Sequence, residues 1–476
     1  MRTWLKNLLL ACLVFTLCWG GALWYWRSHN TMPGSADVIL YLIVLPAVVL
    51  FLLWFARKLV LLAGAAPVAA AAPAAAPAAP APVPAPPLYL VAGALRLPHG
   101  QSAGAFRAAL DASEARPALD AALADDHGFP VMTARVPGLD TADTEAALAA
   151  WLRDEALPDP GFNEEQWRAL ALGADVAIEL GQEAGVHALL HDDDEHKAPA
   201  VPMLQLLPLL PSDWNAAQRA AAGRWLLHLV RQQGWPAGRL AVSAAVEAGD
   251  AEPLALAARL ARQSRAAGEP YLAIVLACAS HLGDATIDAW SAGGLLFTAR
   301  HQRGRIPGEG AAGLLLADAA QASLLDASAA PQLHAAAHAA HGASTDGPGN
   351  VDASVLTNLG RDAILTADSG PDDVQLVVGD ADHRGSRNGE LLAAAGACAP
   401  RLDASTQVIG VAASCGHAGP VAALAALVLA REETLENASH VLYLSNQDPR
   451  QRTAAIVRPR RESAAAAQVA ATASAA

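Results

Sequence analysis

The chain is short of the features that would place it quickly. Only 5% of its residues are aromatic, and Lys6, Lys58 and Lys197 are its only lysines. With a formal net charge of −14 it lacks the clustered cations that phosphate backbones demand, which excludes a general nucleic-acid binder. Its five cysteines are odd in number and carry no CxxC pair. Cys12 and Cys18 lie in an apolar stretch, and Cys278, Cys398 and Cys415 are scattered. That spacing gives neither a disulfide framework nor a cysteine metal site, and it suits a reducing compartment. What the chain has in excess is alanine, with enough length, 476 residues, for more than one structural unit.

Two long apolar runs open the sequence. Asn7–Trp26 and Val38–Phe55 each reach the roughly 20 helical residues that a bilayer core requires. Trp24, Tyr25, Trp26 and Trp54 stand at their ends, where interfacial aromatics belong. Arg2 and Lys6 precede the first run, so a cleaved signal peptide is the competing reading. Arg57 and Lys58 follow the second, whereas the connecting loop carries only Arg27 as a fixed positive charge. The positive-inside rule then predicts a transmembrane hairpin over residues 1–63 in a bacterial inner membrane, with both ends and the large domain in the cytoplasm. Residues 64–87 are almost wholly Ala and Pro, a semi-rigid spacer of about 3.1 Å per residue where extended. Beyond Glu462 the sequence is an Ala-rich tail, expected to be disordered.

Between spacer and tail, short apolar strands alternate with helical patterns. LYLVAGAL (Leu88–Leu95) predicts the first strand, and helices are predicted at Ala103–Ala112 and Thr144–Ala156. Val176–Leu180 and Val201–Leu210 are further apolar runs, Asp213–Gln233 reads as a helix and Leu240–Ala245 as a strand. After residue 251 the rhythm is clean, with a helix at Leu254–Ala266 and a strand at Tyr271–Cys278. Strands are predicted at Val374–Val378, Gln407–Ala413, His440–Leu444 and Thr453–Val457, and helices at Gly389–Cys398 and Gly419–Arg431. Such alternation predicts an α/β sheet covered on both faces. We expect an N-terminal α/β half over 88–240 and a C-terminal half over 241–461.

Several motifs invite chemistry. In PGEGAAGLLLAD, Gly308, Gly310 and Gly313 fit a dinucleotide fingerprint, but the residues before them are basic and polar, and LLLAD reads as a strand rather than a helix start. A structural turn is the better reading. The run His191–His196, HDDDEH, holds ligand-type residues, yet consecutive side chains cannot converge on one ion, which leaves a solvated acidic loop. His334, His338 and His341 recur at helical spacing and would offer one imidazole face if the segment were helical, against a plain polar stripe. Asp380, Asp382, His383 and Arg387 gather after a strand, where α/β sheets place ligands. No cofactor or metal is assigned.

YLAIVLACASHL, GRIPGEGAAGLLLAD and SCGHAGPVAALAALVLA, in this order, resemble the thiolase and β-ketoacyl synthase superfamily over roughly Ala241–Arg460. The resemblance implies a layered α/β fold that commonly forms a homodimer, a nucleophilic Cys at a helix start, and catalytic histidines, of which His417 matches one. The sequence departs at the other positions. The nucleophile would fall near Gly249–Glu252, where no cysteine stands, and His383-Arg384-Gly385 replaces the second histidine motif. Cys415 beside His417 is the remaining atypical pair. Hairpin, spacer and degenerate thiolase-like domain, with LYLVAGALRLP at the domain start, are also similar to the type VI lipase adapter family. That resemblance implies a non-catalytic adapter whose partners are a lipase effector and a spike protein of type VI secretion. The competing expectation is an acyl-thioester-processing enzyme with an atypical nucleophile.

Overall fold

The computed structural model describes residues 87–191, 201–242, 246–247, 253–341 and 352–460, with scattered residues between 15 and 46. The expected membrane hairpin, the spacer, the acidic run after His191, the stretch 248–252 and the tail therefore lie wholly or mostly outside the described residues. Among the described residues no helix is long and apolar enough to cross a membrane. Residues from Pro84 onward form one compact unit.

Thirteen strands are described: β1 (Leu88–Arg96), β2 (Ala118–Ala124), β3 (Pro130–Thr133), β4 (Leu204–Leu210), β5 (Leu240–Val242), β6 (Val246–Glu247), β7 (Leu272–Ser280), β8 (Glu309–Ala317), β9 (Gln332–Ala340), β10 (Val374–Gly379), β11 (Val408–Gly410), β12 (His440–Ser445) and β13 (Gln451–Arg458). The helices that cover them include α1 (Glu164–Gly185), α2 (Ala216–Gln232), α3 (Pro253–Ala267), α4 (Asp284–Ala292), α5 (Ser354–Thr366), α6 (Gly385–Cys398) and α7 (Val421–Asn437).

Eleven strands share one hydrogen-bonded path, β11-β10-β12-β13-β9-β1-β8-β7-β4-β5, with β6 also paired to β4. The path contains the same unit twice. Counting β1, β4, β5, β7 and β8 as strands 1 to 5 of one half, and β9 to β13 as strands 1 to 5 of the other, each half has the order 3-2-4-5-1. Strands 2, 3 and 4 are parallel in both halves, and strand 5 runs antiparallel to its neighbours. The halves join through β1 and β9 by only two residue pairs, Leu88 with Leu333 and Tyr89 with Gln332. The sequence reading set the division at 240/241. The halves part between β8 and β9, because β5, β7 and β8 complete the sheet that β1 and β4 begin.

Side-chain alternation sorts these strands into layers. In β7, Leu272, Ile274, Leu276 and Cys278 face a core made with α1 and α2, while Ala273, Val275, Ala277 and Ala279 face the core that holds α3 and α7. In the second half Val377, Leu442 and Leu444 meet α5 and α6, and Leu376, Val378, Val441 and Tyr443 turn to the α3–α7 core. The result is five layers, helix–sheet–helix–sheet–helix. The central position explains α7, whose residues from Val421 to Ala430 are all buried, since a helix apolar on every side requires cover on every side. Cys278 packs directly against Gly173 of α1 and is one of the small apolar contacts of this stack.

Two further local expectations change, and one apolar run finds its place. The stretch Gln407–Ala413 yields only the short β11 and then turns into a four-residue helix, Ala412–Cys415. The Val176–Leu180 run belongs to α1, which an Asn163–Gln166 capping box starts well upstream. His334 and His338 lie on β9, not on a helix. There they join separate partners, His334 Nε2 accepting from Arg458 Nε at 2.8 Å and His338 Nδ1 meeting Thr453 Oγ1 at 2.8 Å. His341 lies just beyond the strand, its backbone N–H bound to the Arg450 carbonyl.

Candidate functional site

The ends of β7, β10 and β12 reach the same edge of the domain, where the turn before β8 crosses the loop before α7. The crossing is backbone to backbone. His417 N–H donates to the Ile306 carbonyl at 2.7 Å, Gly308 N–H to the His417 carbonyl at 3.3 Å, and His281 N–H to the Gly308 carbonyl at 3.1 Å. Glycine is required at 308, because a Cβ there would run into the Cys415 carbonyl oxygen, and Gly416 opposite has φ of +67°. The Gly-rich motif is thus a cross-brace between the two halves.

The brace rests on a buried ion pair. Glu309 is fully buried and accepts four hydrogen bonds: Arg168 Nη2 at 2.6 Å on Oε1 and Nε at 2.8 Å on Oε2, Ser280 Oγ at 3.0 Å and Val136 N–H at 2.8 Å. Such a pair persists only when the surrounding donors complete it.

His417, 7% exposed, occupies the centre. Its Nε2 lies 3.1 Å from Arg305 Nη1 and its Nδ1 3.3 Å from Gln447 Nε2. Its ring stacks on His281 at 5.5 Å, and Trp290 of α4 closes over both at 5.6 and 5.1 Å. Burial, with Arg305, His281 and Arg384 adding to it, pushes the His417 pKa well below the usual imidazole value. Burial likewise lowers His281 to about 4. His417 is therefore a neutral ring whose Nε2 lone pair is taken by Arg305, whereas a general base needs that lone pair free toward a nucleophile.

Cys415 shares the loop but not the site. Its side chain is fully buried in the α3–α7 core, its Sγ contacts the Gly416 carbonyl at 3.7 Å, and burial pushes its thiol up to about 12. Burial of this kind favours the protonated thiol, whereas the thiolate is the nucleophilic form. Cys278 and Cys398 are raised by burial as well, to about 12 and about 11.

His383 reaches the same edge from the end of β10. Its ring meets Phe297 edge-on at 5.1 Å, and burial lowers its pKa. Phe297 and Arg305 belong to one loop, closed by Phe297 N–H donating to the Arg305 carbonyl at 2.9 Å and Arg305 N–H to the Leu295 carbonyl at 2.6 Å, so a single element packs on both histidines. Between them, Asp382 accepts from Arg384 Nε at 2.8 Å and from Gln447 Nε2 at 3.1 Å, and Gln447 carries the connection to His417.

The remaining acidic residue of this segment turns inward. Asp380 accepts from Ser445 Oγ and from the backbone N–H groups of Asn446 and Gln447 at 2.8 and 3.2 Å. Behind it, Asn446 Nδ2 donates to the Arg387 carbonyl and to Glu390, which pairs with Arg452 at 2.6 Å. Asp380 and Arg387 are thus buried parts of a network that ties the end of β12 to α6. Sequence reading missed Arg305, Gln447, His281 and Trp290. His281 directly follows strand β7, so the strand-end rule that singled out His383 could also have found it. Gln447 and Trp290 carry no local signal.

No group of His, Cys, Asp and Glu that could hold a metal ion occurs among the described residues. No family model and no curated protein matches the sequence. Solved structures do match the fold. An oxazolomycin ketosynthase domain from Streptomyces albus aligns with a TM-score of 0.55 at 13% identity, over 79% of this chain and 76% of that one. The ketosynthase from module 6 of the bacillaene synthase of Bacillus subtilis aligns at 0.51 and 14%, over 79% and 72%. Ketosynthase twelve of the bacillaene polyketide synthase of Bacillus amyloliquefaciens aligns at 0.51 and 13%, over 79% and 75%. The domain has a ketosynthase-like, thiolase-type fold.

Proposed function

We propose that this chain is a membrane-tethered, non-catalytic binding protein that uses a degenerate ketosynthase-like domain as a scaffold. The observation that carries this reading is the state of His417. Arg305 takes its Nε2, and no cysteine stands in the sequence at Gly249–Glu252, the position implied for a nucleophile. Acyl transfer needs a nucleophile and a base within hydrogen-bond reach of each other, and nothing described supplies that pair. Hairpin, spacer and domain together suit an adapter of the type VI lipase class, with a lipase effector as cargo. The reading as an acyl-thioester enzyme keeps only Cys415, whose thiol is buried and protonated.

Two measurements test the proposal. Incubation of the full chain with an acyl-pantetheine thioester is expected to leave its intact mass unchanged; a stable acyl adduct on any cysteine or serine would overturn the non-catalytic reading. Crosslinking and affinity capture from a Gram-negative cell is expected to recover a lipase or a spike component, and recovery of neither would remove the type VI assignment while leaving the scaffold reading to the mass experiment.

A further inference from the structure

At the opposite end of β7 from His281 the domain carries a partly open pocket of about 590 Å³. A nine-residue strand separates the two places by about 30 Å, so this space is no part of the histidine site. Its size is typical of pockets that take a small organic ligand, roughly 300–1,000 Å³.

One wall is a single face of α3. Leu254, Ala257, Ala258, Ala261, Arg262 and Arg265 line the cavity, and their spacing is that of one helical stripe. The three alanines leave the space that larger side chains would fill. Tyr89, Tyr271 and Leu333 form the facing wall at the start of β1, β7 and β9.

Two polar features break the apolar lining, and both point to a ligand. Tyr271 is only 2% exposed, and its hydroxyl has no hydrogen-bond partner among the described residues. A buried hydroxyl left without a partner costs on the order of 1–3 kcal/mol, which an incoming oxygen would offset. At the rim, Arg262 and Arg265 are exposed, and among the described residues neither has an ion-pair partner. Of the two carboxylates nearby, Asp318 is engaged by the Tyr271 and Gln321 backbone N–H groups at 2.8 and 2.9 Å, which leaves Glu269 as the counter-charge on the rim.

The geometry points to a binding site for a single-chain anionic amphiphile. The acyl chain lies along the alanine face of α3, the carboxylate or phosphate head meets Arg262 and Arg265, and an oxygen near the head accepts from Tyr271. Pro87, the last residue of the Ala/Pro-rich stretch in the sequence, lies on the cavity wall.

The test is photolabelling of the full chain in amphipol with diazirine-bearing palmitate and, in parallel, diazirine-bearing lysophosphatidylglycerol, followed by peptide mapping. Labelling is expected on peptides spanning 254–271 and 318–333. It should fall roughly fivefold or more in the charge reversal Arg262→Glu/Arg265→Glu, the scale of one lost ion pair, while labelling of residues 7–62 stays constant. Ala258→Trp, which fills the cavity, should abolish the same labels; if that variant fails to fold, the charge reversal on exposed side chains decides alone. Competition by unlabelled palmitate or by lysophosphatidylglycerol tells a carboxylate head from a phosphate head. Labels confined to residues 7–62, or cavity labels that survive the charge reversal, would overturn the assignment. The adapter reading stands or falls separately, on its own capture experiment.

Discussion

Replacing Glu309 with Ala is expected to destabilise the domain by about 3–5 kcal/mol, the usual cost of breaking one side of a buried ion pair. The carboxylate it removes collects four donors from three distant parts of the chain: Arg168 on α1, Val136 in the loop after β3, and Ser280 at the end of β7. Arg168 is 9% exposed and would be left with the Val136 carbonyl at 3.3 Å as its remaining described partner. Most of the penalty therefore comes from the stranded guanidinium rather than from the lost attraction. A double change to Arg168→Met/Glu309→Leu should recover a large part of it, because it removes the stranded charge as well. Denaturant unfolding of the wild type, the single and the double variants measures both effects. A Glu309→Ala protein as stable as wild type would show that the pair does not brace the turn. A double variant worse than the single would show that the hydrogen bonds to Ser280 and Val136 matter more than the charge.

The second large effect is pH dependence of stability. His281 is lowered to about 4 chiefly by burial, with Arg305 lowering it further and Asp213 opposing, and His417 is lowered well below its ordinary value by burial, Arg305, His281 and Arg384. In the unfolded chain both rings bind a proton near pH 6.5. Between about pH 6.5 and 4 the unfolded state then holds more protons than the folded state, so stability is present above 6.5 and is lost as pH falls. Each ring contributes a slope of up to about 1.4 kcal/mol per pH unit. His99, His187, His228 and His383 are also lowered, with burial the largest cause in each, and add to the background. The informative measurement is thus a difference. His281→Phe keeps a ring against Trp290 but cannot titrate, and its unfolding free energy should fall less steeply between pH 6.5 and 4, by about one proton's worth of slope. Equal slopes in wild type and variant would mean that His281 accepts its proton within the folded state.

Local sequence determined much of this protein. Apolar runs and hydrophobic periodicity located β1, β7, β8, β10, β12 and β13 and the helices α2, α3 and α6 within a few residues, and the start of α7, because a run buried on every side and a run with one buried face both leave a mark in the sequence. Three motifs in order pointed to the ketosynthase-like fold, and the absence of cysteine at Gly249–Glu252 was legible without coordinates. Single-residue spacing was a poorer guide where two periods coincide. His334 and His338 are four apart, which puts them on one face of a helix and equally on one face of a strand, and β9 resolved the choice through pairing with β13.

Only the tertiary structure decided the rest. The repeat of the 3-2-4-5-1 unit is a property of strand order, which no segment carries in its own sequence. The environment of His417 is built by Arg305, His281, Trp290 and Gln447, from four separate stretches, and its neutral state follows from burial that only packing creates. Cys415 and His417 stand two residues apart, yet one side chain faces the interior core and the other the site, since the turn at Gly416, with φ of +67°, lies between them. The hydroxyl of Tyr271, without a partner among the described residues, likewise has no sequence signal. A hydroxyl's partners are set by what folds against it, and that is a matter of distance in space rather than along the chain.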